Sequence, residues 1–521
     1  MIKKTTPTHA LLRVLRKTSL AILLLAYSSA CASIKLPGVV TIPAPGLTRI
    51  ALPTITQISP KSTLPVETAT GTALPISPTD TQEPAAGLPH YLINASMDYE
   101  SKTLDVEQDI DYPNNSKTNI PDILLSVQPN RISGVFSLNE LRYNEQPVND
   151  YTLSGQSLRW KLASPFGPDQ VAHIHIKYHL TLPLIEQSDP NLIRPQIFGV
   201  TPRQVNLTDW YPMLVPFDAN NGWLLHNPWY YGEHLVYPLA NFEVNLRFTD
   251  PANAPVIAAS AKAEQISDGQ HYLLEHGRDF VLVLGRQIKS ITAQVENVTV
   301  SSYYYAGNEK AGQAVLDATV KAVETYSTLF GPYPHDSLAA VQGDFNDGME
   351  FDGLYFLSNS FYNLYDNSEK NYLVMVAAHE TSHQWWFGRV ASDQNDQPWL
   401  DEALATYCEK LFYENNYPDD IGWWWSYRID FYQPDGKIDG SVPSYAGFTP
   451  YTNATYRQGA RFLDELRKEI GDETFFAFLK DYAAQMDGKI ATSADFFRIL
   501  KEHTQADLST LFSKYFTTPA Q

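Results

Sequence analysis

His379, Glu380 and His383 form an H-E-x-x-H run, and Glu402 follows nineteen positions after His383. The apolar stretch LVMVAA before it and Gly388 after it predict a helix over 368–387, which sets His379 and His383 one turn apart on one face. At that spacing two imidazoles can grip one ion. Glu380 is rotated about 100° from His379, so its carboxylate stands beside such an ion, as a base for water and not as a ligand. A catalytic Zn²⁺ takes three protein ligands and keeps a fourth position open, so one further donor is required. Glu402 is the candidate. Leu400, Leu404, Tyr407 and Leu411 have helical spacing over 399–416, which puts Glu402 on a second helix packed against the first. The cofactor implied is one Zn²⁺ per chain, held by His379, His383 and Glu402. The alternative is a chance motif with both histidines as satisfied core groups.

The run H-E-x-x-H, eighteen residues, and then Glu402 inside W-L-x-E-x-x-A-T-Y resembles the M1 family of zinc aminopeptidases, the gluzincins. The resemblance implies that Glu380 is the general base. It also implies that Tyr456, three residues before Gly459 in TYRQGARF, is a second oxyanion donor, with Gln458 where the family has lysine. Gly348, Met349 and Glu350 in NDGMEFDGL resemble the family's G-x-M-E-N signature, with Phe351 replacing the asparagine. They are thereby implied as substrate-binding residues, Glu350 taking the substrate's free α-amine. The implied activity is hydrolysis of the N-terminal peptide bond of peptides. An endopeptidase or another zinc hydrolase on the same fold, and a noncatalytic binding lipoprotein, are the competing readings. The resemblance runs from about Leu92 onward. With little chain after Tyr456, it leads us to expect that the further helical domain of many members is lacking and that the cleft is more open.

The elements that must position these residues occupy the second half of a 521-residue chain, which is too long for one ordinary core. Residues 1–31 read as a signal segment of the lipoprotein type: Lys3, Lys4, Arg13, Arg16 and Lys17, then LAILLLA, then small residues before Cys31. Residues 32–89 hold 10 prolines and 14 serines or threonines and no aromatic residue, the composition of an unfolded tether. Such a leader implies export to the cell envelope and membrane contact through an N-terminal lipid anchor or the signal segment itself. The formal charge of −20 gives no basic footprint for nucleic acid.

From 90 to 298 short alternating or β-branched runs such as VAHIHIKYHLTL and FEVNLRFTD predict an all-β, sandwich-like domain. DWYPMLVPFD, from Asp209 to Asp218, adds a loose likeness to the family's amino-terminal domain. His173 and His175 share one face of a predicted strand, where solvation explains them better than metal binding. From 299 to 521 the pattern is that of an α+β, thermolysin-like and mostly helical peptidase domain, with a helix over 310–330 and a strand over 338–345. The cluster Trp423, Trp424 and Trp425 reads as packing before it reads as a substrate wall.

Overall fold

The structure, a computed structural model, describes residues 87–185, 196–345 and 348–517. The signal segment, nearly all of the proline-rich stretch and Asp347 lie outside the described residues. The β region follows its alternation. In the strand Val171–Thr181, Ala172, Ile174, Ile176, Tyr178 and Leu180 are buried. Its outward positions His173, His175 and His179 instead meet Asp111, Asp109 and Asp105 of the neighbouring strand at 2.6, 2.7 and 2.8 Å. A period of two therefore gives one greasy face and one face of histidine–aspartate pairs.

That strand belongs to an eight-stranded sheet in which His90–Asp98 pairs in parallel with Ala240–Phe248 and antiparallel with Thr103–Pro113. Two four-stranded sheets, built around Ile120–Ser126 and Leu282–Gly285, share one hydrophobic core with it. The expected β domain is present. Within the expected β region, Ile288–Val295 pairs with Val298–Tyr305 in a five-stranded sheet that continues into the peptidase region.

That five-stranded sheet is the floor of the site. One face, with Leu338, Ala340, Tyr355 and Leu357, packs under helices; the other, with Ala339, Val341, Leu354 and Phe356, packs on Val281 and Val283 of the β region. Helix α1, Glu309–Phe330, lies on the first face and stops at Gly331, whose φ of 106° suits glycine. Within α1 the Tyr326 hydroxyl donates to Ala378 O at 3.1 Å and Cys408 O at 3.0 Å. One phenol thus ties together the two helices that carry the H-E-x-x-H run and Glu402.

Helix α2 spans Tyr372–Ser382, shorter at both ends than the spacing predicts. Asn371 caps it by accepting from Leu373 N at 2.9 Å, which fixes the start. At the other end His383 is the last residue before a π-type turn over Gln384–Arg389, in which Gly388 N donates to His383 O at 2.8 Å and Val390 N to Trp385 O at 2.9 Å. Trp386 and Phe387 leave helical backbone angles there, at φ −101°, ψ 55° and φ 170°, ψ −60°, and Trp385, Trp386 and Phe387 all enter the core. Helix α3, Trp399–Asn416, runs over the predicted residues. Arg278 of the β region fastens the turn after α2: it donates to the carbonyls of Gly388 at 2.9 Å, Arg389 at 3.0 Å and Lys489 at 3.1 Å. Burial lowers its pKa to about 10, which still leaves a cation for those carbonyls at neutral pH.

Candidate metal centre and substrate cleft

His379 on α2, His383 at its end and Glu402 in the first turn of α3 each offer a ligand atom, and the three atoms lie within 4.8 Å of one another. Glu402 Oε2 stands 3.2 Å from His379 Nε2 and 3.8 Å from His383 Nε2. Both imidazoles turn their other nitrogen to a carboxylate: His379 Nδ1 to Glu409 at 2.9 Å, His383 Nδ1 to Asp401 at 2.6 Å. Each Nε2 is thereby aimed at the shared point, as an imidazole ligand requires.

The outer carboxylates are themselves held. Glu409 accepts from Trp424 Nε1 at 3.0 Å and from Arg428 Nη2 at 2.8 Å, and Asp401 accepts from Gln394 Nε2 at 2.6 Å. Trp424 is fully buried, so the tryptophan cluster packs and orients where a substrate wall was the other reading. The sequence reading missed Asp401, Glu409, Gln394 and Arg428. Two carried a signal: Glu409 lies two turns from Glu402 on one face of α3, and Asp401 fills the variable position of W-L-x-E.

The residues fit a divalent cation. His383 Nε2 is a buried polar atom with no hydrogen-bond partner among the described residues. Glu350, Glu380, Asp401, Glu402 and Glu409 are all buried around the two imidazoles. Burial opposes a charge on His383, yet the charges of Asp401 and Glu350 outweigh it and lift its pKa well above the ordinary value. For His379 too, burial is outweighed, here by the hydrogen bonds of Glu402 and Glu409. A site that pulls protons onto buried imidazoles is one where an ion of charge two can replace them.

Glu380 opens onto the same cavity, of about 360 Å³, as do Gly348, Met349, Glu350, Glu402 and Tyr456. A Cβ at Gly348 would stand 2.1 Å from Glu380 Oε1, so glycine is what lets that carboxylate lie against the strand. Met349–Phe351 is the edge strand of the five-stranded sheet, paired on one side with Leu354–Ser358. Tyr456 donates a short hydrogen bond to Glu402 Oε1, and its ring stacks parallel to His379 at 6.1 Å. Burial and the Glu402 charge keep the phenol protonated far above neutral pH. Glu350 Oε1 accepts from Gln394 at 3.1 Å, and burial, reinforced by Glu233, Asp401 and Glu402 against His383, raises its pKa well above the carboxylate range. Of the sequence-predicted site residues, Gly348, Met349, Glu350, His379, Glu380, Glu402 and Tyr456 line that cavity, while His383 is fully buried and joins them through Nε2, 3.8 Å from Glu402 Oε2.

Residues 314–515 match the peptidase family M1 domain. Among curated relatives, the mitochondrial Aminopeptidase 2 of Saccharomyces cerevisiae is 25% identical over 297 residues, which are 53% of this chain and 31% of that protein. Aminopeptidase N of Lactobacillus delbrueckii subsp. lactis is 24% identical over 314 residues, 54% of this chain and 36% of that protein. The matched part thus spans about a third of those relatives' length. The crystal structure of the M1 zinc metallopeptidase from Deinococcus radiodurans superposes with a TM-score of 0.58 at 20% identity, covering 83% of this chain and 94% of that one. A mutant of that enzyme bound to a Tyr-Ser-Ala substrate gives 0.59 at 19% identity, covering 83% and 95%. With a β-sheet-rich region leading into a helical one built on the H-E-x-x-H helix, the chain has the fold of that two-domain metallopeptidase, and its residues 314–515 are similar to the peptidase family M1 domain.

Proposed function

We propose that the protein is a zinc-dependent aminopeptidase that removes the first residue of peptides, with His379, His383 and Glu402 holding one Zn²⁺. The observation that carries this reading is the convergence of three ligand atoms within 4.8 Å of one another on a cavity lined by His379, Glu402, a non-ligating Glu380 and the buried acid Glu350. Zinc, when bound, supplies a Lewis acid that makes water nucleophilic near neutral pH and polarises the peptide carbonyl. Glu380 takes the proton of the attacking water and passes it to the leaving amine. Tyr456 donates its hydroxyl to the carbonyl oxygen as negative charge builds there. Glu350, with Glu233 lining the same end, receives the substrate's ammonium group and so fixes which peptide bond lies over the centre.

The test compares fluorogenic aminoacyl substrates with the same compounds acetylated at the amine. A charge-assisted hydrogen bond contributes about 1.5–3 kcal/mol, so free amines should be preferred by at least ~10- to 100-fold in kcat/KM. Glu350→Ala should abolish most of that preference while leaving bound zinc in place. Equal cleavage of free and acetylated substrates eliminates the aminopeptidase and leaves a zinc hydrolase. One observation favours that endopeptidase reading. Beyond Glu350 a second cavity of about 340 Å³, lined by Arg131, Phe198, Trp229 and Tyr230, adjoins the first at Glu233, Met349 and Glu350. It is room for a bulky first side chain, or for more chain.

We further propose export and lipidation at Cys31, supported by the basic, apolar and small-residue order of 1–31 and the proline-rich stretch after it. Cys31→Ala should release the protein from membranes into the soluble fraction; unchanged membrane partition eliminates the lipid anchor.

A further inference from the structure

The two ends of the metal-centre cavity carry opposite charge. On the His383 side stand Asp401 and Glu350, the latter shared, with Glu233, between this cavity and its neighbour. On the His379 side stand Glu409 and the arginine bonded to it, Arg428, and next along the wall comes Arg457 with Tyr432, Tyr372 and Thr452; none of these lines the neighbouring cavity. Arg428 is neutralised, since Nε and Nη2 both bond to Glu409. Arg457 is not. Its Nη1 donates to Thr452 Oγ1 at 3.0 Å and Asn453 Oδ1 at 2.8 Å, and the guanidinium lies 3.6 Å from the centre of the Tyr432 ring. Among the described residues it makes no ion pair, and its buried Nε has no hydrogen-bond partner.

Only 8% of Arg457 is exposed. A guanidinium offers five donors, and leaving part of that set unmet out of water is costly. Burial disfavours the cation, so an anion reaching it would relieve that cost. Thr452 and Asn453 occupy Nη1, the Tyr432 ring covers one face and Nε is enclosed, which leaves Nη2 as the donor with no hydrogen bond among the described residues. A carboxylate suits that donor.

We propose that Arg457 receives a substrate carboxylate on the leaving-group side of the scissile bond, which makes short peptides with a free C-terminus the preferred substrates. The inference rests on the aminopeptidase reading, which puts the ammonium group at Glu350 and hence the rest of the peptide toward His379 and Arg457. A peptide of two or three residues presents an ammonium and a carboxylate within one cavity of this size. An acidic side chain brought to the same place offers the same chemistry.

The experiment uses the zinc-loaded enzyme with tri-alanine as free acid, tri-alanine amide, Ala-Ala-Asp amide and an alanyl fluorogenic anilide. The free acid should exceed the amide by about 10- to 100-fold in kcat/KM, chiefly through KM. Arg457→Gln should bring that ratio to within about two-fold, and Arg457→Lys, which keeps a charge without the planar fork, should leave an intermediate ratio. A gain for Ala-Ala-Asp amide instead, equally lost in Arg457→Gln, assigns the carboxylate to a side chain. The same order of affinities should appear without turnover, when the free acid and amide are titrated into the Glu380→Gln protein and followed by tryptophan fluorescence. If Arg457→Gln does not fold, the lysine protein and the wild-type binding ratio still decide. Equal values for acid, amide and Asp amide, or an acid preference that Arg457→Lys and Arg457→Gln leave untouched, overturn the proposal. Failure to cleave the alanyl anilide would instead strike the aminopeptidase reading.

Discussion

Glu380→Gln is expected to keep its zinc and lose about 10³- to 10⁴-fold in kcat, equivalent to ~4–5.5 kcal/mol of transition-state stabilisation. Glutamine matches glutamate in shape, so it can still lie against Gly348, where a Cβ would stand 2.1 Å from the carboxylate oxygen. What it lacks is a basic oxygen that can accept the proton of water. Because the ligand atoms come from His379, His383 and Glu402, metal content should stay at one equivalent, and the KM of unblocked peptides should change far less than kcat. Near-normal turnover with full metal would remove Glu380 from the mechanism. Tyr456→Phe marks the scale from the other side. It deletes one oxyanion donor and keeps the ring that stacks on His379, so about 10²- to 10³-fold is the expected loss.

How far the site was legible in the sequence depended on how local each feature is. The pair His379 and His383 needs only four residues of helix, and α2 supplies them even though it is shorter than the spacing predicts. Glu402 was legible because α3 has regular apolar spacing and runs over the predicted residues. The strand Val171–Thr181 was legible because alternation there is strict. The early end of α2 was harder, since Trp385, Trp386 and Phe387 continue the apolar pattern while the backbone leaves helical angles at Trp386 and Phe387. The partners of the imidazoles were harder still. Glu409 meets Arg428 and Trp424 only because the segment after α3 folds back over it, and no periodicity within α3 encodes that return. Likewise, Arg278 binds carbonyls more than a hundred positions downstream. The strand Ile288–Val295 shows the same limit: its alternation fits either region, and only its pairing with Val298–Tyr305 decides.

His383→Ala should lose stoichiometric zinc and, with it, essentially all peptidase activity, at least ~10⁴-fold, because water without zinc has a pKa of about 15.7 against about 7 with it. The variant removes a fully buried imidazole whose Nε2 has no hydrogen-bond partner among the described residues and which pairs with Asp401 through Nδ1, so some stability goes with it, and the donor lost is decisive for zinc. Asp401→Asn is the graded control: it keeps the ring and weakens only the contact at His383 Nδ1, so zinc affinity should fall about 10- to 100-fold without vanishing. Thermal unfolding gives a readout independent of turnover. Zinc should raise the Tm of the wild type, by mass action on the folded state, and leave that of His383→Ala unchanged. The pH dependence has a definite sign. In the metal-free protein the pKa values of His379 and His383 are raised, so their pairs with Glu402, Glu409 and Asp401 stabilise the fold below the ordinary value of 6.5 and lose that effect as pH rises through the raised values. Zinc competes with those same protons and binds better as they leave. The gap in Tm between zinc-loaded and metal-free enzyme should therefore widen as pH rises through neutrality, and a gap that narrows, or full zinc occupancy in His383→Ala, would show that these imidazoles are not the ligands.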